Sequence, residues 1–144
     1  MSIALQDISL ELSDGIQTAL DGQVTVNGVD YSVFVTMPKV APDNYIYIGE
    51  VNQIDDGTKD EFIYKGTVQI RVTTDNLHTA EKKLARQIIS AVRGLLKPTV
   101  DAVFALDTSE LIVFSHESYS ELTTQTDSNL VRIDLIDIYN FEIQ

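Results

Sequence analysis

Residues 62–96 read FIYKGTVQIRVTTDNLHTAEKKLARQIISAVRGLL, and the spacing of the apolar residues changes part-way along this stretch. Up to Thr74, residues of two kinds alternate. One face carries Tyr64, Gly66, Val68, Ile70 and Val72, and the other carries Lys65, Thr67, Gln69, Arg71 and Thr73. A period of two is typical of a half-buried strand, so we predict a strand from Phe62 to Thr74.

The second part of this stretch, from His78 to Leu96, has apolar residues at steps of three and four. They are Ala80, Leu84, Ile88, Ala91, Val92 and Leu95. This spacing predicts a helix with one apolar stripe, which packs on the one apolar face of the strand. The range from Thr74 to Asn76, together with Thr79, predicts the N-cap of this helix, and Pro98 predicts its end.

The N-terminal part predicts a helix, a hairpin and a further strand. Apolar residues from Leu5 to Leu20 fall at helical spacing, and Asp21-Gly22 stops this helix. Asn27-Gly28 between two extended runs is typical of a tight hairpin turn, whose outgoing strand continues to Val35. The run from Tyr45 to Val51 is apolar on both faces, which predicts an interior strand.

The C-terminal part predicts two long strands, from Leu111 to Leu122 and from Leu130 to Ile143. In the second, the apolar alternation changes phase around Leu135-Ile136, which predicts a bulge or a segment covered on both faces. The element order is then α-β-β-β-β-α-β-β. We therefore expect an α+β fold in one domain, residues 1–144, with an antiparallel sheet of long strands. The N-terminal helix and the longer central helix pack on one face of that sheet.

Composition and charge exclude several kinds of site and several classes of partner. The 144 residues carry a net charge of −12 and include no cysteine, which excludes disulfides and thiolate metal sites. So acidic a chain is not expected to bind nucleic acid through clustered basic residues. No stretch has the length of a membrane span, and we expect neither a membrane nor a cofactor among the partners.

The basic residues are concentrated on the predicted central helix, whereas both ends of the chain are mainly acidic. Those on the helix are Lys82, Lys83, Arg86, Arg93 and Lys97. A basic helix and acidic edges in one molecule favour association between copies, so we predict that Lys82, Lys83, Arg86 and Arg93 lie in a protein interface. A solvated helix face is the alternative.

The most polar loop runs from Gln53 to Asp60, and it gives the other interface candidates: Asp55, Asp56 and Asp60. A calcium loop would place oxygen ligands at alternate positions and a glutamate at the twelfth. The twelfth position has no glutamate, so the pattern favours a solvated turn over a metal site.

No catalytic motif is present. The two histidines are His78 and His116, and Glu117 next to His116 points to the opposite face of its strand. A hydrolase using His116 requires a distant serine and a carboxylate in one pocket. We predict no catalytic, cofactor-binding or metal-ligating residues.

The succession of elements is similar to the tail-terminator or tail-completion (neck) proteins of long-tailed bacteriophages. The resemblance is carried by PDNYIYIG at residues 42–49, YKGTVQIRVTT at residues 64–74 and the helix from Ala80 to Leu96, preceded by the N-terminal helix and hairpin. It implies a structural virion subunit without catalytic residues, assembled in the host cytoplasm. It further implies a ring, commonly a hexamer, that caps the tail tube and joins it to the head connector.

The sequence leaves three candidate functions open. The first is the assembly subunit, with copies of itself, the tail tube protein and a head connector or neck protein as partners, and with DNA passing through unbound. The second is an acidic inhibitor that mimics nucleic acid and binds a DNA-binding enzyme. The third is the hydrolase. A ring predicts a defined oligomer, the inhibitor a monomer or dimer, and the hydrolase a pocket at His116.

Overall fold

The computed structural model describes residues 5–55, 64–77, 81–96, 104, 106, 109–125 and 129–144. Within these ranges the chain forms two helices and seven strands. In order they are α1 (Leu5–Leu20), β1 (Thr25–Val26), β2 (Val29–Asp30), β3 (Val33–Phe34), β4 (Asn44–Asp55), β5 (Tyr64–Leu77), α2 (Lys83–Leu96), β6 (Leu111–Gln125) and β7 (Leu130–Ile143). The predicted α+β class, with long and mostly antiparallel strands, is confirmed.

Five strands form one sheet in the order β3-β4-β5-β7-β6. The central strand β5 pairs with β7 along its whole length, from Tyr64 opposite Ile143 to Leu77 opposite Leu130. All neighbours are antiparallel except β3, which pairs parallel with two residues of β4. β6 therefore forms one end of the sheet, and β7 separates it from the remainder.

Both helices pack on one face of the sheet. α1 contacts β3 and β4, α2 contacts β5 and β7, and the helices contact each other. Their apolar side chains meet those of the sheet in a hydrophobic cluster that includes Leu12, Ile88, Val68, Phe114 and Tyr139. Burying a large apolar side chain contributes about 1.5–3 kcal/mol, so this cluster is the main stabilising feature of the fold.

Two predicted chain reversals are confirmed. α1 ends at Leu20, and Gly22 follows in the left-handed conformation at φ 71°, where a glycine lacks the Cβ penalty. In the hairpin turn, Asn27 and Gly28 have φ 53° and 79°, and β1 and β2 pair across them. The outgoing strand does not continue to Val35 as predicted. It stops at Asp30, and β3 then joins the large sheet instead.

α2 begins at Lys83, later than predicted, because β5 continues to Leu77. The residues predicted as caps, Thr74 to Asn76, are strand residues in register with β7, and the backbone N–H of Asp75 donates to the carbonyl of Asp43 at 3.1 Å. Glu81 caps the helix instead, since its Oε1 accepts the backbone N–H of Lys83 at 2.9 Å. Thr79 lies outside the described residues.

The apolar stripe of α2 is rotated relative to the predicted one. Ile88 and Val92 are buried as expected, and the remaining buried positions are Ala85, Ile89 and Leu96. The predicted members Leu84, Ala91 and Leu95 are only partly buried, on one flank of the stripe. The opposite flank carries the basic residues.

β7 keeps a single phase, so the bulge predicted near Leu135-Ile136 is wrong. Alternate residues from Ile133 to Ile143 are buried, and Asp137 is one of them. The register shifts occur in β4, between Ile48 and Val51, and twice in β6. A carboxylate stands at a buried position of β7, and the sequence pattern therefore resembles a change of phase.

In two segments, the loop predicted after β4 and the connector after α2, the structure describes only some of the residues. β4 runs to Asp55, opposite Tyr64, so the strand extends into the region predicted as a loop. Asp56, Asp60 and the rest of that loop lie outside the described residues. In the connector after α2, Phe104 and Leu106 pack against the core, and Phe104 meets Phe114 edge to face.

Candidate interaction surfaces

Two basic residues of α2, Arg86 and Arg93, lie on one flank of the helix with Lys82, which precedes the helix, and they face the C-terminal strands. Lys82, Arg86 and Arg93 are separated by one and then about two turns, so their side chains project in similar directions. Each of them is paired with a carboxylate on β6 or β7. These ion pairs therefore attach α2 to β6 and β7.

The deepest contact involves Asp137, which is completely buried. Arg93 donates from Nε and Nη2 to the two carboxylate oxygens at 2.8 and 2.7 Å. The Nε2 atom of His116 lies 2.8 Å from Oδ1, and the hydroxyl of Tyr139 donates to Oδ2 at 3.1 Å. A buried charge is tolerated when a counter-charge and hydrogen bonds satisfy it, and Asp137 has both.

These contacts also fix the protonation of their partners. Hydrogen bonding to Asp137 raises the pKa of Arg93, so the guanidinium stays charged. Burial, followed by the charge of Asp137, raises the pKa of Tyr139 well above its ordinary value, so its hydroxyl remains a donor. The ring of Phe114 stacks on Tyr139 at a centroid distance of 4.9 Å. The polar group is thereby embedded in the aromatic part of the core.

A second cluster lies nearer the surface, around Glu121 of β6. Arg86 donates to both oxygens at 2.8 and 2.9 Å, Lys82 donates at 3.3 Å, and the Tyr119 hydroxyl donates to Oε2. The hydrogen bonds from Arg86 and Tyr119 lower the pKa of Glu121 to about 2. Burial and the bond to Glu121 raise the pKa of Tyr119 to about 12.

Arg93 connects the two clusters, because its guanidinium also lies over the ring of Tyr119, 4.7 Å from the centroid. Together they join one flank of α2 to β6 and β7. We call this set the α2–β6 clamp: Lys82, Arg86, Arg93, His116, Tyr119, Glu121, Asp137 and Tyr139.

The clamp does not form a hydrolytic site. His116 and Asp137 make a histidine–carboxylate pair, but Arg93 occupies both oxygens of that carboxylate. In the part of the chain that the structure describes, no serine is hydrogen-bonded to His116. The described residues also contain no group of three or more His, Cys, Asp or Glu side chains arranged to hold a metal ion.

β6 exposes the outer edge of its backbone, since only β7 pairs with it among the described strands. Its first half has register shifts at Leu111/Val113 and His116/Ser118. From Ser118 to Gln125 the register is regular, and every side chain except Glu121 is exposed. We call residues 118–125, SYSELTTQ, the β6 edge segment. Its single charge is Glu121, which is already paired in the clamp.

The opposite end of the sheet is also incompletely covered. β3 pairs only with Ile46 and Tyr47, which leaves the following residues of β4 without a described neighbour on that side. Beside them lies a shallow groove of about 310 Å³ between α1 and β4. It is lined by Ser9, Leu10, Ser13, Val35, Gly49 and Val51. We call it the α1–β4 groove; Leu10 on its rim is 57% exposed.

The sheet face away from the helices is polar and internally paired. Arg132 donates to both oxygens of Asp75 at 2.9 and 3.2 Å, directly across the β5–β7 pair. Arg71 lies over the ring of Tyr47 at 5.2 Å. Acidic residues of this face are thus bound to neighbouring basic ones.

The predicted interface residues have separate places. Lys82, Arg86 and Arg93 belong to the clamp, whereas Lys83 is exposed at the first turn of α2. Asp55 ends β4, and Asp56 and Asp60 lie outside the described residues. That these residues form an interface stays a prediction. No described helix is long and apolar enough to cross a membrane.

Sequence reasoning missed the acidic half of the clamp. Asp137 lies in phase with Ile133, Leu135, Tyr139 and Phe141, which is the signal that it faces the core. Glu121 carries no comparable signal, because its neighbours on β6 are polar on both faces. Only the packing of α2 across β7 brings Glu121 to Arg86 and Lys82.

The whole chain shares its fold with a component of a virus-like particle. A chain of the solved structure "Virion of native gene transfer agent (GTA) particle" superposes with a TM-score of 0.69. The match covers 98% of this chain and 99% of that chain, at 19% sequence identity. No protein-family model and no curated protein sequence matches this chain. At this identity, the similarity establishes the fold.

Proposed function

We propose that this protein is a structural virion subunit that forms a ring at the end of a phage tail tube and joins it to the head connector. The full-length similarity to a chain of a gene transfer agent virion carries this proposal. The two chains correspond over almost their entire lengths, so the similarity covers the helices, the hairpin and the long C-terminal strands together. The resemblance to tail-terminator proteins agrees with it.

The described surfaces fit an assembly role. Among the described strands, those at both ends of the sheet have an unpaired edge, and such edges bind strands or elements of other chains. The described polar clusters hold α2 on the sheet, and none gathers groups that would bind and transform a substrate. The net charge of −12 suits a ring through which DNA phosphates pass without binding.

The acidic inhibitor gains no support from the side-chain contacts. A nucleic-acid mimic presents free carboxylates in a phosphate-like array, whereas Asp75, Asp134, Asp137, Glu121 and Glu142 are each within an ion pair of this chain. These pairs reduce the negative charge available to a basic partner.

Native mass spectrometry and negative-stain electron microscopy test the ring. We expect one closed oligomer, six copies by the resemblance, that binds the open end of purified tail tubes and stops further addition of tube protein. A monomer at all concentrations that neither binds the tubes nor changes their length would contradict the proposal. A monomeric acidic protein of similar size is the control for nonspecific binding to tubes.

Among the four basic residues predicted to lie in an interface, Lys83 gives the cleanest test, because it is exposed whereas Lys82, Arg86 and Arg93 hold α2 in place. We expect Lys83→Glu to weaken association by about tenfold, or about 1.4 kcal/mol, while the unfolding midpoint is unchanged. Lys39→Glu, also exposed but in the loop before β4, is the matched control and should assemble normally. Unchanged association of Lys83→Glu would remove Lys83 from the interface.

A further inference from the structure

We infer that subunits associate head to tail through the two ends of the sheet, with the β6 edge segment of one copy seated against the α1–β4 groove of the next. This inference rests on the proposed ring function and adds the surfaces that form its repeating contact. It is carried by the open edges, by the exposed apolar residues beside them and by the distribution of charge between the helices.

The β6 edge segment lacks the features that protect natural edge strands. Bulges, lysines and prolines normally prevent an edge from pairing with another chain. The first half of β6 has two register shifts, but the edge segment has none and includes neither lysine nor proline. Leu122 in its middle is 54% exposed. In a chain of net charge −12, a regular edge whose one charged residue, Glu121, is already paired within the chain is suited to a protein partner.

The other end of the sheet offers a different, complementary surface. The α1–β4 groove is mainly apolar, and the rim residue Leu10 is as exposed as Leu122 on β6. The strand at its base, β4, has backbone beyond Tyr47 that no described strand covers. One surface is therefore an extended strand edge and the other a groove beside a second strand edge.

Charge favours contact between unlike ends over contact between like ends. Among the α1 side chains that the structure describes, Glu11 and Asp14 are acidic and none is basic, whereas α2 has basic residues and no acidic one. The basic flank of α2 lies along β6, and α1 lies along β4. Contact between two β6 edges brings two basic flanks together. Lys82 and Arg86 share the single carboxylate of Glu121, so the flank keeps an excess of positive charge. Contact between a β6 edge and an α1–β4 groove brings that excess to an acidic helix.

A contact between two different surfaces of the same chain repeats from copy to copy. It gives a ring when the rotation closes and a filament when it does not. A contact between two identical surfaces stops at a dimer. The choice of ends therefore decides between a ring and a pair.

Because the chain has no cysteine, cross-linking between introduced cysteines tests the arrangement directly. The variants are Leu122→Cys on β6, Leu10→Cys on α1 and the double variant, treated with a short bismaleimide. We expect the single variants to remain uncross-linked alone and to give a dimer when mixed. The double variant should give a ladder of bands that ends at the copy number of the ring.

The possible outcomes separate this inference from the proposed function. A cross-linked dimer of Leu122→Cys alone would show contact between β6 edges and overturn the inference. Rings in native mass spectrometry without any of the expected cross-links would overturn it as well, and would leave the ring function intact. Monomers throughout would contradict both.

A second measurement uses charge in place of cross-linking. We expect Leu122→Asp to prevent ring formation while its circular dichroism stays that of the folded chain, because the side chain is exposed in the monomer. Asp134 stands opposite position 122 on β7, so the unfolding midpoint should fall only slightly. Val29→Asp is the matched control, since Val29 is 51% exposed on the separate β1–β2 sheet. Normal rings from Leu122→Asp would contradict the inference.

Discussion

The two halves of β6 belong to one strand but have different surroundings. The first half carries Phe114, which is buried against Tyr139, and it has two register shifts. The second half, the β6 edge segment, is regular, and apart from Glu121 its side chains are exposed. Phe114 therefore anchors the first half in the core, whereas Tyr119 and Glu121 connect the second half to α2 at the surface. We expect changes to the exposed side chains of the edge segment to affect stability less than changes to Phe114.

The largest effect should come from shortening one apolar side chain in each half of β6 and comparing the losses of stability. Phe114→Ala removes a fully buried ring and should lower the free energy of unfolding by about 3–5 kcal/mol. Leu122→Ala removes an exposed side chain and should change it by less than about 0.5 kcal/mol. Urea denaturation of both variants measures the two effects. Similar losses would show that the edge segment also contributes to the core.

The next largest effect should come from the buried carboxylate. Asp137→Ala leaves Arg93 without its counter-charge and His116 without its acceptor, which should cost about 3 kcal/mol. Chemical denaturation measures this loss, and Glu50→Ala, an exposed carboxylate on β4, is the control. A loss below about 1 kcal/mol would mean that the clamp is not essential for holding α2.

The pH dependence of stability should reveal the contribution of Glu121. The pKa of Glu121 is about 2 in the folded chain, below its ordinary value of 4.5. Its ionised form therefore stabilises the fold at pH values above 4.5. This stabilisation should decline as the pH falls from about 5 towards 2. Glu121→Gln should flatten that part of the stability profile, measured by urea unfolding at each pH. Glu117→Gln, in the same strand and exposed, is the control for the loss of one carboxyl group.

The smallest predicted effect concerns the hydroxyl of Tyr119. Tyr119→Phe retains the ring beneath Arg93 and removes only the hydrogen bond to Glu121, which should cost about 0.5–1 kcal/mol. The same variant should remove one tyrosine with a midpoint near 12 from an ultraviolet pH titration. An unchanged titration curve would place that raised pKa on a different tyrosine.

Local patterns predicted much of the fold because local interactions determine those parts. Helix α1 follows from apolar spacing, and the hairpin follows from Asn27-Gly28, whose positive φ angles few other residue pairs accept. The long strands β5 and β7 follow from alternation. Each of these elements carries its signal within a few neighbouring residues.

The remaining features depend on contacts between distant parts of the chain. Thr74 to Asn76 have the composition of a helix cap, but pairing with β7 makes them strand. Asp137 disturbs the apolar alternation of its strand, and only the arrival of Arg93 explains a charge in the core. The sequence also gives no sign that Glu121 pairs with Arg86, since Arg86 is 35 residues away along the chain.

The strand order gives β7 a controlling role during synthesis. β6 leaves the ribosome before β7, yet in the finished sheet it is attached only through β7. Until β7 has emerged, β6 has no described strand to pair with, and the last position beside β5 stays empty. The surface that we assign to subunit contact therefore takes shape only when β7 is inserted.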